Sequence, residues 1–372
     1  MTIFEPSRFV ASLLVMVVHQ GLVSGTETLP PQFATYALSW FFVFSGFILT
    51  YRYPQLPDGR AVRRFYVHRS ARIIPVYFVS VLLGMLVLVT GARGYGLDFP
   101  TAQGLSPLLD FDLPSPLTEV FLIRVLLEHL SFTQLWDSYA SAKYLLNPPL
   151  WSLAAEVGFY LCFPLLVKIF NPDLKPLTLL GVMVLVFLAG WWLISHLSQS
   201  LEGVNWVTIN PILYTNPLLR LVEFLFGILT CRFWVAIGDS WYPAHGVRLL
   251  VLCLILTVYV AFILGSDTLP YAYSLFYAGI PITASVIFWL AITPWEPCGR
   301  LRRVLLLSGQ LSYPIYGLHW PILALFNQLD EPNTLALDML VYAIILVAAL
   351  LIHLRYERHA RERILARMEP PP

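Results

Sequence analysis

The chain has 372 residues, 58% of them hydrophobic and only 12% charged, where a soluble domain is about a quarter charged, so an ordinary water-soluble globule is excluded. The formal net charge of +1 says nothing about acidic partners, and with no basic stripe interleaved with aromatic residues no nucleic-acid partner is expected. The four cysteines (Cys162, Cys231, Cys253, Cys298) form no CxxC pair and three lie in apolar runs, so neither a metal site nor a disulfide is expected.

A membrane-crossing helix needs about 20 mostly apolar residues. In chain order ten such spans are expected: 8–26, 33–51, 73–90, 149–170, 177–195, 217–235, 247–264, 271–293, 306–328 and 334–354. The fold class is therefore an all-α integral membrane protein, read as one transmembrane domain over 1–372. The first run closes on His19, Gln20 and Gly21 instead of a small-residue cleavage site, and is read as a retained helix, not a signal peptide. Between the third and fourth spans lies the longest polar region, 91–148. Within it LTEVFLIRVLLEHLSF, residues 117–132, is amphipathic and expected to lie along the interface. Residues 355–372 form a basic tail. No internal repeat is visible, which disfavours an inverted-repeat transporter.

Lys and Arg stay on the cytoplasmic side of a membrane. Alternate connections hold 19 of the 23 such residues, and the other side only Arg93, Arg124, Lys143 and Arg220. Both termini are thus expected in the cytoplasm and 91–148 outside it. An even number of crossings satisfies this.

Ionisable groups inside the hydrocarbon are costly, so each is a functional candidate. Four stand out: His19, Glu156, Glu223 and His319. At about 1.5 Å of rise per residue, His19 sits roughly 16 Å in from Arg8, and Glu156 descends from the opposite face by roughly 10 Å. The two are expected to meet, the carboxylate raising the basicity of the imidazole and fixing its tautomer, as in a general base. For Glu223 a structural bond between helices is an equal reading. In RAVRRFYVHRSARIIPVY, a loop leading into the third span, Arg69 and Arg72 are three apart and share a helical face. They make either a phosphate-binding fork or part of the positive-inside signal, to which Arg60, Arg63 and Arg64 are assigned.

Five stretches together resemble the membrane-bound acyltransferase 3 family. They are Arg8 and His19 with ten residues between them; FFVFSGFIL at 41–49, containing Ser45; RSAR at 69–72, followed by I-x-P-x-Y; LWSLAAEVGFYLCFPLL at 150–166; and LSYPIYGLHWPIL at 311–323. The resemblance implies a transmembrane-only O-acyltransferase, multi-pass in the inner membrane. It moves an acyl group, expected to be acetyl, from cytoplasmic acyl-CoA to a hydroxyl of an extracytoplasmic glycan or glycolipid. Acyl-CoA is then a co-substrate, with no tightly bound cofactor and no metal, and the bilayer is the other partner. Arg8, Arg69 and Arg72 would hold the donor, and His19 would act as base or carry the acyl group. Glu156 and His319 would assist it, and Ser45, Trp151, Ser152, Tyr313, Tyr316 and Glu223 would shape the site. Pro314 and Pro321 free backbone carbonyls that part of the Tyr313, Tyr316, His319 stripe would satisfy. The rival reading is a proton-coupled transporter or exporter that uses the same His and Glu as a relay.

Overall fold

The computed structural model describes residues 2–26, 29–94, 119–137, 143–200, 213–238, 242–266, 277–293, 295, 297–329 and 334–368. They form twelve α-helices: α1 (Phe4–Ser24), α2 (Gln32–Arg52), α3 (Gly59–Gly94), α4 (Glu119–Leu130), α5 (Leu150–Ile169), α6 (Pro176–Ser200), α7 (Pro217–Ile237), α8 (His245–Gly265), α9 (Ile280–Ala291), α10 (Gly299–Asn327), α11 (Leu335–Ile352) and α12 (Arg358–Met368). A π-helical turn, His353–Glu357, joins the last two. No strand occurs among the described residues. The protein is an all-α, multi-pass membrane protein.

Seven stretches among the described residues are long and apolar enough to cross a bilayer: Phe4–Ser24, Gln32–Arg52, Gly59–Thr90, Leu150–Ile169, Pro176–Ser200, His245–Gly265 and Leu335–Met368. The other three expected spans also coincide with helices. α7 carries Arg220, Glu223 and Arg232, α9 is short, and α10 begins with arginines and continues into a polar stripe. Residues 95–118 and 138–142 of the long polar region, and 271–276 of the eighth expected span, lie outside the described residues.

Two segments read as irregular are helical. α3 begins at Gly59, ahead of the span expected at 73, because Asp58 accepts a hydrogen bond from the Ala61 N–H at 2.7 Å and so caps the helix start. The RSAR arginines therefore stand on a helix and not in a loop. Most of the basic tail likewise forms α12, Arg358–Met368, a helix with no buried residue.

The chain folds as two compact units, each assembled from separated stretches. The first comprises Met1–Ala11, Pro30–Val62 and Gly158–Gly309, and the second Ser12–Leu29, Arg63–Val157 and Gln310–Pro372. In the first, α2 and α7 cross at glycines. A Cβ on Gly46 would collide with the Phe224 carbonyl oxygen, and one on Gly227 would collide with that of Val43. Lipid offers no hydrophobic drive for helix pairing, so close backbone approach at small residues supplies the packing. α7 starts at Asn216, whose side chain accepts from the Leu218 N–H at 3.0 Å, and Pro217 follows at the position where a missing N–H costs nothing.

In the second unit, α3, α4, α10 and α11 carry the polar residues. α4 buries Phe121, Val125 and His129 and exposes Val120, Ile123 and Leu127.

Candidate active site

The local geometry begins with α10, which continues through Pro314 and Pro321. Pro321 has no N–H, so the carbonyl four residues earlier, that of Gly317, loses its helical partner. The Asn147 side chain donates to it at 3.0 Å. One residue nearer the helix start, the Ser152 and Tyr316 hydroxyls lie 2.7 Å apart and both reach the Pro149 carbonyl, at 2.9 and 3.2 Å. These bonds pin the start of α5 against α10 in an antiparallel register.

On the same stretch of α10, His319 is fully buried, and its Nε2 lies 2.8 Å from Nδ1 of His19 on α1. The rings are nearly parallel, 5.1 Å between centroids, and Trp320 stands perpendicular to the His19 ring at 5.2 Å. The tautomers follow from one further bond. His319 Nδ1 is 3.1 Å from the Ile315 carbonyl, which can only accept, so Nδ1 carries the hydrogen. In a neutral His319, Nε2 is then the acceptor. His19 Nδ1 must be the donor, and the lone pair of His19 is left on Nε2. Among the described residues no hydrogen bond is made to that nitrogen.

His319 is thus the residue hydrogen-bonded to His19, and Glu156 stands on α5 four residues beyond Ser152. Glu156 is half-buried in the second unit. Trp151 and Ser152 are buried there as well.

Gln20, next to His19, donates through Nε2 to Asp338 of α11. Further along α10, the Tyr313 hydroxyl donates to the Ile73 carbonyl at 2.7 Å, and its ring lies under the Arg72 guanidinium, 5.3 Å from Cζ to centroid. Arg72 is engaged on one side of its guanidinium. Its Nη1 donates to Glu357 Oε1 at 2.5 Å, while His353 Nδ1 meets the other carboxylate oxygen at 2.8 Å. Arg69, one turn earlier on the same face, is half-buried.

The remaining expected site residues belong to the first unit. Arg8 pairs with Glu5 at 3.2 Å and lies over Phe44 at 5.9 Å. Ser45 is buried on α2. Glu223 is fully buried and pairs with the equally buried Arg220, Nε to Oε2 at 2.8 Å. The Arg220 guanidinium also lies over the Phe42 and Tyr214 rings, at 5.1 and 5.2 Å. Among the described residues no group of three or more His, Cys, Asp or Glu is arranged to hold a metal.

Sequence reasoning missed Asn147, Gln20, Asp338, His353 and Glu357. The proline at 321 pointed to a carbonyl in need of a donor but not to Asn147 as its source. His353 and Glu357, four apart on a helical face, were a readable pair hidden among arginines.

An all-helical membrane fold with His19 and His319 in hydrogen-bond contact defines a membrane protein with a paired-imidazole site. The family described as Acyltransferase domain matches residues 7–354, and the chain belongs to it. The chain is similar to nodulation protein 10 of Rhizobium leguminosarum bv. viciae, 26% identical over 62% of this chain and 59% of that protein. It is also similar to acyltransferase MdmB of Streptomyces mycarofaciens, 24% identical over 90% of this chain and 82% of that protein. The chain thus spans less than two thirds of the nodulation protein's length. No solved structure matches.

Proposed function

We propose that the protein is an O-acyltransferase of the inner membrane that moves an acetyl group from cytoplasmic acetyl-CoA to a hydroxyl of an extracytoplasmic glycan or glycolipid. The observation that carries this reading is the His19–His319 pair, because its hydrogen bonds leave an unprotonated imidazole nitrogen on His19. His19 Nε2 takes the proton of the acceptor hydroxyl as the oxygen attacks the thioester carbonyl. The C–S bond then breaks, and the proton leaves with the thiolate as free CoA. His319 holds the reactive tautomer and shares the positive charge through the 2.8 Å bond. Arg69 and Arg72 hold donor phosphates, with Arg8 on the same face of the membrane by the charge bias of the connections. CoA serves as a co-substrate, not as a resident cofactor.

The test uses purified protein in liposomes supplied with acetyl-labelled CoA on the side of the arginine-rich connections. Label is expected on a hydroxyl acceptor on the opposite side and to disappear in His19→Ala. Movement of a solute on a proton gradient, with no label transferred, would reject the enzyme and establish the transporter. A stable labelled His19 adduct, isolated before acceptor is added, would replace direct transfer with an acyl-enzyme.

A further inference from the structure

Arg72, on α3, is held by two other elements of the second unit, the π turn and α10. Glu357 takes its Nη1, the Tyr313 ring lies against its guanidinium, and Tyr313 is itself tied to the carbonyl of Ile73, the next residue on α3. Glu357 is 2% exposed and has no freedom of its own, since His353 occupies its second oxygen. The side chain of Arg72 nevertheless keeps 21% of its surface accessible. One N–H is spent on the carboxylate, and the other donors of the planar fork remain.

The backbone supports the same arrangement. The helix that begins at Leu335 widens into a π turn at His353–Glu357 before α12 resumes the α-helical spacing. Such a turn shifts the register by about one residue, which rotates side chains by roughly 100°. It places His353 and Glu357 together, and Glu357 on Arg72. Arg63, nine residues before Arg72 on α3, donates to the Met368 carbonyl at 2.9 Å, so α12 runs antiparallel along the start of α3. A clamp between two helices would be as firm with apolar side chains, because buried ion pairs carry a desolvation cost. An apolar pair could not hold a guanidinium in one orientation with its remaining donors presented.

We infer that Glu357, seated by the π turn and by His353, is a positioning residue that orients Arg72 toward the phosphate groups of the donor. This rests on the donor-binding role proposed above for Arg72.

The sign of one measurement separates positioning from simple charge. Removing a carboxylate beside an arginine raises the local positive potential, so an electrostatic view expects Glu357→Gln to bind a polyanion more tightly. Positioning requires weaker binding. The full-length protein in detergent is titrated calorimetrically with free CoA. Glu357→Gln is expected to weaken affinity about five- to tenfold and Glu357→Asp by less, with KM for acetyl-CoA rising in step and kcat within about threefold of wild type. In an Arg72→Gln background, Glu357→Gln should add nothing, a coupling that a merely structural role would not give. Unchanged or tighter binding in Glu357→Gln, or additive effects in the cycle, would overturn the inference. If Glu357→Gln fails to fold, the same cycle with Glu357→Asp reads the coupling and is judged by the same criterion. If the wild-type protein itself binds no CoA, the donor reading fails first, before any variant is compared.

Discussion

His19 Nδ1 donates to His319 Nε2 across 2.8 Å, and the Ile315 carbonyl behind His319 fixes that direction. The pair orders two imidazoles into a base and a holder of that base. Their unequal roles lead to unequal variants. His19→Ala should lower kcat by at least about 10³-fold, and His319→Phe by roughly 10²-fold, with little change in KM for acetyl-CoA in either. His319→Gln, which can still accept a hydrogen bond, should recover part of the loss. Steady-state kinetics in detergent checks all three, and equal loss in His319→Phe and His319→Gln would reject the tautomer argument.

The Arg220–Glu223 pair has no exposed surface, so neither partner can regain water when the other is removed. Glu223→Gln or Arg220→Leu alone should each destabilise the first unit by about 3–5 kcal/mol, while the double variant Arg220→Leu, Glu223→Leu should recover much of that. Thermal midpoints in detergent report the difference. Recovery of stability without recovery of turnover would give Glu223 a part in the chemistry beyond packing.

Where α2 and α7 cross, both glycines face backbone, which cannot move aside as a side chain can. Gly227→Val should destabilise by about 1–3 kcal/mol or more and lower the yield of folded protein. Gly158, whose Cβ would meet nothing within 4 Å, is the control, and Gly158→Ala should fold normally.

Asn147→Leu removes the donor to the Gly317 carbonyl and leaves that oxygen buried without its side-chain partner. The cost should be about 1–3 kcal/mol. Because the carbonyl lies two residues before His319, turnover should fall as well. Restoring an N–H with Pro321→Ala in the same chain should recover stability, which thermal unfolding of the double variant would show.

His129 on α4 is buried, and its Nδ1 is bound to the Val125 carbonyl at 2.9 Å; desolvation lowers its pKa below the ordinary imidazole value. Between the folded and unfolded pKa values the unfolded chain holds more protons, so stability should fall as pH drops below about 6.5. His129→Gln, which does not titrate, should flatten that acid-side loss in melting curves between about pH 7 and 5. An unchanged slope would place the acid sensitivity elsewhere.

Apolar run length and charge bias are summed properties of a stretch, and they survive errors of a few residues. The helices and the candidate polar residues were therefore legible in the order of residues alone. Helix starts set by a single cap, such as Asp58 ahead of α3, were not, because one side-chain bond moved the boundary by more than a helical turn. Partner choice was legible still less. The His19–His319 pairing was not read from depth, since helical rise gives a height in the membrane but no rotation about the helix axis or register against another helix.

Composition and periodicity by themselves determined a multi-pass helical membrane protein with ionisable groups buried among its helices, because the cost of a polar group in hydrocarbon depends on the group and its depth alone. Only the tertiary structure decided which of those groups meet. The Ser152–Tyr316 and Asn147–Gly317 bonds set α5 against α10, His19 of α1 meets His319 of α10, and a π turn brings Glu357 onto Arg72. Those outcomes depend on rotations of about 100° and shifts of a few ångströms between helices distant in sequence, and no local property of the chain encodes them.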